Sequence, residues 1–230
     1  MKKIVFSSCL VLSLSMIAQA SPVAVDARSV HVPEGFDSND ETEVEVVVDL
    51  PDTCHRRPYG EVKVVGGDIF IDMKASKVSP SSGIYCIQAI VPVLVSVPVG
   101  KLSRGTYSVK VNAHYGVEKD AFLKVVEPNS ASIDNFTYAN VTNVEKSPDG
   151  SKIYLEGYHP SSCMEIDQVK MVPNESGDTI AVLPIVKQNH LVCDQMITPF
   201  KYEIPLVNVT SSEIVLHVRK IDGRALNLKL

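Results

Sequence analysis

The sequence lacks the patterns that helical and membrane-spanning proteins need. It contains no tryptophan, and after residue 20 no segment has the length and apolarity of a membrane span. No apolar pattern with a 3.6-residue period is sustained in that part of the chain either. Valine is plentiful instead, and its branched β-carbon suits strands better than helices. We therefore predict an all-β protein without a membrane span.

The sequence also lacks the motifs of common enzymes and cofactor proteins. There is no G-x-S-x-G nucleophile motif and no glycine-rich phosphate loop. Six histidines are scattered without metal-ligand spacing, and we expect them in solvent-facing loops: His31, His55, His114, His159, His190 and His217. We predict a protein that is not an enzyme, with no catalytic residue, no cofactor and no metal ligand.

One acidic run, Asp37 to Glu41, has oxygen ligands that would suit calcium. The run lacks the ordered spacing and the turn glycine of a calcium-binding loop. The favoured interpretation is a solvated acidic loop.

Basic residues are in the minority. The formal net charge is −5, and it becomes −7 when the first 20 residues, with their two lysines, are removed. Binding to nucleic acid or to an anionic membrane needs clustered lysine and arginine, so neither partner is predicted.

The first 20 residues have the pattern of a secretory signal peptide. Lys2 and Lys3 precede an apolar run from Ile4 to Ile17, and Ala18-Gln19-Ala20 forms a small-residue exit. We expect cleavage after Ala20 and a periplasmic or secreted protein, in preference to a buried N-terminal helix. Cys9 lies inside the apolar run without a lipoprotein box, so a lipid anchor is not expected.

A long stretch of the chain occurs twice. Residues Cys86 to Val111 recur as Cys193 to Val218, with a constant offset of 107 residues and matching cysteine, glutamine, isoleucine and proline positions. We predict two tandem β-sandwich domains, at residues 21–127 and 133–230, joined by a linker at residues 128–132.

Four cysteines remain after the predicted cleavage, and an even number in an exported protein indicates disulfides. Three connectivities are open to four cysteines. The repeat selects Cys54–Cys86 and Cys163–Cys193, one bridge in each domain. The alternative, a zinc site made by all four, lacks the close C-x-x-C pairs of such sites.

Local patterns predict individual strands. Residues Glu43 to Leu50 alternate between valine or leucine and acidic side chains, as in a half-buried strand. Gly66-Gly67 is a two-residue hairpin signal. Pro92 and Pro98 cannot donate hydrogen bonds to a ladder, so their strand should lie at a sheet edge.

The segment Leu102 to Val111 reads L-x-x-G-T-Y-x-V-x-V. It resembles the penultimate strand of immunoglobulin-like and fibronectin-III-like sandwiches in bacterial exported proteins. The resemblance implies that the Tyr107 hydroxyl bonds back to the preceding corner. The second repeat has Ser212 and Ile214 at the glycine and tyrosine positions, so it lacks this corner. The resemblance concerns the fold and implies no particular function.

Two features are candidates for partner binding. The first is the basic and aromatic cluster containing Arg56, Arg57 and Tyr59, which follows Cys54 and would be held by its bridge. The second is Leu94, an apolar residue on the outward face of the predicted edge strand. The alternatives are an exposed loop for the cluster and a contact between the domains for Leu94.

The sequence favours an exported binding or structural module that recognises a protein or a glycan through loops or an edge strand. A hydrolase inhibitor and an adhesion-type module are versions of this hypothesis. A pilus-assembly-type periplasmic chaperone has a similar two-domain architecture and is one alternative. An enzyme with an unrecognised site is another. The sequence does not fix the oligomeric state.

Overall fold

The computed structural model describes residues 21–78, 85–112, 119–132, 134, 136–206 and 213–230. Within these ranges every element of regular secondary structure is a β-strand, as the sequence predicts. No helix of that part of the chain is long and apolar enough to cross a bilayer. The predicted signal peptide and His114 lie outside the described residues.

The first half of the chain forms two sheets. Its strands are β1 (Ser21–Ala24), β2 (Asp26–His31), β3 (Phe36–Asp37), β4 (Thr42–Leu50), β5 (His55–Val65), β6 (Asp68–Lys77), β7 (Val91–Gly100), β8 (Gly105–Val111) and β9 (Lys119–Val126). A six-stranded sheet has the order β1-β6-β8-β9-β3, with β5 also paired to β6. A three-stranded sheet has the order β2-β4-β7.

The second half repeats this plan with fewer strands. These are β10 (Asn140–Lys146), β11 (Lys152–His159), β12 (Met164–Pro173), β13 (Thr179–Gln188), β14 (Thr198–Pro205), β15 (Val215–Arg219) and β16 (Ala225–Lys229). One sheet has the order β10-β11-β14 and the other the order β12-β13-β15-β16.

Each half has its own hydrophobic core between its two sheets. In the first, Val44, Val46 and Val48 of β4 are fully buried, which confirms the predicted apolar face. In the second, Ile153 and Leu155 of β11 are fully buried. Two separate cores of alternating inward side chains are typical of two sandwiches. The all-β class with two repeated domains is therefore confirmed.

Both predicted disulfides are present. Cys54 and Cys86 are bonded with their Cα atoms 5.3 Å apart, and Cys163 and Cys193 with theirs 5.6 Å apart. The repeated proline-containing strands are β7 and β14. Among the described residues each pairs with one neighbour, β4 and β11 respectively, so the prediction of edge strands is confirmed.

The tyrosine corner is also confirmed. The Tyr107 hydroxyl donates a hydrogen bond to the backbone oxygen of Ser103 at 2.8 Å. Strands β5 and β6 meet at Gly66-Gly67 as predicted, and Gly66 takes a positive φ of 60° that suits a tight hairpin.

Asn112 fills a gap in the larger sheet of the first domain. β8 and β1 pair with successive parts of the same edge of β6, and Asn112 lies between them. Its Oδ1 accepts from the Met73 N–H and its Nδ2 donates to the Val25 oxygen, both at 2.8 Å. The side-chain amide thus continues the hydrogen-bonded ladder where neither strand reaches.

Candidate functional site

The predicted binding cluster lies on strand β5, whereas the alternative considered for it was an exposed loop. β5 pairs with β6 on both sides of a bulge between Arg56 and Tyr59. Within the bulge Arg57 takes a positive φ of 51°. Arg56 and Arg57 are exposed, and Tyr59 is exposed over 37% of its surface. A bulge redirects side chains, which explains how a strand presents this cluster to solvent.

The chain before the cluster is held by Asp52. Its Oδ1 accepts hydrogen bonds from the Cys54 N–H at 2.8 Å, the His55 N–H at 3.1 Å and His55 Nδ1 at 2.7 Å. The hydrogen bond from the His55 ring is the main cause that lowers the pKa of Asp52. Asp52 and His55 therefore fix the corner from which Arg56 and Arg57 extend.

The disulfide brings a second exposed segment to the same corner. Residues Tyr85 to Ile90 belong to no strand. The Thr53 N–H donates to the Ile87 oxygen at 3.2 Å, and the Ile87 N–H donates to Thr53 Oγ1 at 3.0 Å. The exposed fractions are 93% for Tyr85, 66% for Ile87 and 67% for Ile90.

We call this surface the domain 1 patch: Arg56, Arg57, Tyr59, Tyr85, Ile87 and Ile90. Tyrosine, arginine and large apolar side chains contribute strongly to protein interfaces. Adjacent exposed apolar side chains on a folded domain also indicate an interaction site. The sequence prediction named only the Arg and Tyr members of β5, because no local pattern marks residues 85–90 as exposed. Their exposure depends on the disulfide and the Thr53 bonds, which bring them to the start of β5.

The second domain has an equivalent surface. The Ser162 N–H donates to the Asp194 oxygen at 3.3 Å, which repeats the bond between Thr53 and Ile87. We define the domain 2 patch as Glu165, Asp194 and four apolar residues around Cys193. The exposed fractions of these four are 100% for Leu191, 91% for Val192, 58% for Met196 and 69% for Ile197.

Leu94 lies away from the domain 1 patch on strand β7. It is half-buried and pairs with Val47 of β4. Ser96, two residues later on the same face, contacts Asn227 of the second domain through a 2.8 Å hydrogen bond. Leu94 therefore lies beside the contact between the domains. A docking role for this residue stays a prediction.

The acidic run Asp37 to Glu41 is not a solvated loop, which corrects the sequence interpretation. Asp37 and Asp40 are only 3% exposed. Arg219 of the second domain donates to Asp40 Oδ1 at 2.8 Å and also to Asp134. This buried arginine, paired with two carboxylates, thus links the domains. Removing either partner would leave a buried charge uncompensated, which is costly.

A second polar contact between the domains lies on strand β4. Asn227 Nδ2 donates to Glu45 Oε1 at 2.7 Å and to Glu43 Oε1 at 3.3 Å. His217 Nδ1 lies 3.3 Å from Glu43 Oε1. Burial, together with the Glu43 carboxylate, raises the pKa of Glu45 to about 8, and burial lowers the pKa of His217 to about 3. At neutral pH, Glu45 is therefore mainly protonated and His217 is neutral.

The prediction that the histidines face solvent is wrong for four of them. The buried ones are His31, His55, His159 and His217, and only His190 is exposed among the described histidines. His31 and His217 lie at the contact between the domains, where His31 Nδ1 is 3.2 Å from the Asp178 oxygen. Local sequence patterns miss this burial because the covering residues come from the other domain.

Among the described residues, two groups of side chains have ligand atoms close enough together to hold a metal ion. In the first, Asp52 lies beside Cys54 and Cys86, whose sulfurs are already joined to each other. In the second, Glu43, Glu45 and His217 gather their ligand atoms within 4.8 Å. The Asn227 amide nitrogen donates to both carboxylates of this second group. Hydrogen bonds between the domains thus complete this group. We therefore assign it to the polar contact between the two domains, which we call the joint, rather than to a metal site.

A cleft of about 440 Å³ lies between the domains. Val32, Phe122 and Lys124 line it from the first domain, and the turn at residues 174–178 lines it from the second. Asn174 in that turn donates to the Val32 oxygen at 3.2 Å and to Asp178 at 2.8 Å. Asn174 is thus engaged by the turn and by the contact between the domains, so the cleft is a weaker candidate than the domain 1 patch.

A sequence profile described as the ORF11 beta-sandwich domain matches residues 44–120 and 153–218, together more than half of the chain. The two segments run from β4 into β9 and from β11 to β15, the parts that the two domains share. No curated protein and no solved structure matches the chain. The chain belongs to the family of the ORF11 beta-sandwich domain.

Proposed function

We propose that this protein is an exported, non-enzymatic binding module that recognises a protein partner through the domain 1 patch. Export is supported by the pattern of residues 1–20 and by two disulfides, which persist in oxidising compartments such as the periplasm or the extracellular space. Rigid sandwiches commonly present binding groups at their ends and edges.

One observation carries the proposal. The Cys54–Cys86 bridge and the Thr53–Ile87 hydrogen bonds hold two exposed segments side by side. One segment supplies two arginines, and the other supplies Tyr85, which is 93% exposed. A preformed surface loses little conformational freedom on binding, so its side chains can contribute more of their contact energy to affinity.

The charge of the patch provides a specific test. Arg56→Glu/Arg57→Glu reverses it, while Lys101→Glu/Arg104→Glu makes the same change in net charge in the loop after β7. That loop follows Gly100, at the other end of the strand from Val91. Immobilised protein of each form would be exposed to the envelope fraction of its own cells, and retained proteins would be identified.

The proposal predicts a partner that is retained by the wild type and by the Lys101/Arg104 variant but lost by the Arg56/Arg57 variant. Equal retention by all three forms would exclude the patch as the site. Retention of glycan alone, with no protein, would instead indicate a carbohydrate-binding module.

A further inference from the structure

The two patches occupy equivalent positions in the repeat. Each ladder begins directly after the first cysteine of its bridge, and Arg56 and Glu165 each lie in the second pair of their ladder. Arg56 pairs with Ser76 at this position in the first domain, and Glu165 pairs with Lys187 in the second. The ladders therefore align Arg56 with Glu165.

The two patches carry opposite charge. Three exposed cations surround the first: Arg56, Arg57 and Lys77. Three exposed carboxylates surround the second: Glu165, Asp167 and Asp194. Lys187 pairs with Glu165 at 3.2 Å and with Asp167 at 2.9 Å, so one cation offsets part of the acidic charge. An excess of negative charge remains around the domain 2 patch.

Neither patch is covered by the part of the chain that the structure describes. Tyr85 and Ile87 of the first patch are 93% and 66% exposed, and Leu191 and Val192 of the second are 100% and 91% exposed. Two uncovered apolar surfaces with complementary charge would bury each other favourably. The same charges oppose contact between two domain 1 patches or two domain 2 patches, which restricts the pairing to unlike domains.

We infer that a second copy of this chain is a partner of the domain 1 patch and contacts it with its domain 2 patch. This inference rests on the proposed function and names the partner of the same surface. The contact joins different surfaces of identical chains. Repeated along many copies it forms a head-to-tail chain, and between two copies that bind both of each other's patches it forms a closed dimer. Both arrangements contain the same contact between domain 1 and domain 2.

Sedimentation velocity of the purified exported protein tests the inference. The wild type should associate as its concentration rises, and added salt should weaken the association because the charge attraction is screened. Arg56→Glu/Arg57→Glu and Glu165→Lys/Asp194→Lys should each weaken it by roughly tenfold or more. Lys101→Glu/Arg104→Glu should associate like the wild type.

A mixture of the two charge-reversed forms is the most specific test. The first form has two acidic patches and the second has two basic patches, so each alone should stay monomeric and the mixture should associate. Thermal melting of each form checks that it is folded. If Arg56→Glu/Arg57→Glu does not fold, Arg56→Gln/Arg57→Gln takes its place. A wild type that stays monomeric at every concentration would overturn the inference, as would a mixture that fails to associate. A different protein retained by the domain 1 patch, together with a monomeric wild type, would leave the proposed function standing and refute only self-association.

Discussion

Asn227 Nδ2 of the second domain lies 2.7 Å from Glu45 Oε1 of the first and donates a hydrogen bond to it. The same nitrogen donates to Ser96 Oγ at 2.8 Å. Glu45 is fully buried although it belongs to the acidic face of an alternating strand. The second domain thus covers this acidic face and supplies a hydrogen-bond donor to it.

Removing this amide should weaken the joint. Asn227→Ala leaves the buried Glu45 oxygen without its donor, and a buried polar group that loses its partner costs about 1–3 kcal/mol. Urea unfolding should show a loss of that size. Asn143→Ala is the matched control, because its amide donates to the surface carboxylates of Glu145 and Glu156, and the free energy of unfolding should change there by less than about 0.5 kcal/mol. Equal effects of the two substitutions would contradict this account of the joint.

The joint should also make stability depend on pH. Glu45 has a pKa of about 8 in the fold against 4.5 in the unfolded chain, so the folded state binds more protons between these values. Its contribution to the free energy of unfolding therefore falls as pH rises from 4.5 to 8. His217 acts in the opposite direction at lower pH, since its pKa of about 3 in the fold lies below 6.5, and its contribution falls as pH drops from 6.5 to 3.

Of these two groups only Glu45 contributes between pH 6.5 and 8, and its contribution should fall there by about 1–2 kcal/mol. Chemical unfolding at a series of pH values measures this fall. Glu45→Gln keeps the shape of the side chain and removes the titration, so it should flatten the profile over that interval. A wild-type profile that is flat from pH 6.5 to 8 would show that Glu45 is ionised in the fold.

Asn112 should matter for the stability of the first domain. Asn112→Ala removes the acceptor for the Met73 N–H and the donor to the Val25 oxygen, both buried, and leaves alanine at a φ of 53°. We expect a loss of about 2–4 kcal/mol from the two bonds and the left-handed backbone. Asn112→Gly relieves the backbone cost but not the lost bonds, so it should be destabilising by a smaller amount. A glycine variant as stable as the wild type would mean that water replaces the amide without cost.

Tyr107→Phe tests the tyrosine corner. The substitution removes one hydrogen bond to the Ser103 oxygen and keeps the ring, so the expected loss is about 0.5–1.5 kcal/mol. Tyr154→Phe in the second domain is a suitable control, since its hydroxyl makes no hydrogen bond to the described residues. Thermal denaturation of both variants compares the effects, and a larger loss in the control would contradict the role of the corner.

The sequence predicted much of the fold because the relevant signals are local or periodic. Alternation along β4, prolines in β7 and the repeated cysteines determine strand type, edge position and bridge pairing without knowledge of distant contacts. The interior of the joint could not be predicted in this way. Arg219 meets Asp40 across 179 residues, and nothing near either position marks it as buried.

The candidate site was predicted in part for the same reason. Arg56, Arg57 and Tyr59 form a compact cluster that composition alone makes visible. Ile87 and Ile90 look like core residues in sequence, because apolar side chains in a valine-rich stretch usually point inward. Their exposure becomes apparent only when the bridge and the Thr53 hydrogen bonds place them outside the strands.

Site-specific photo-cross-linking in the cell that produces the protein tests the central claim most directly. A benzophenone side chain would replace Tyr85 in one form and Arg104 in another, and adducts would be compared after irradiation. The domain 1 patch predicts adducts from position 85 that disappear with Arg56→Glu/Arg57→Glu, and few or none from position 104. Adducts of equal yield from both positions, or none from position 85, would contradict the assignment of this surface as the binding site.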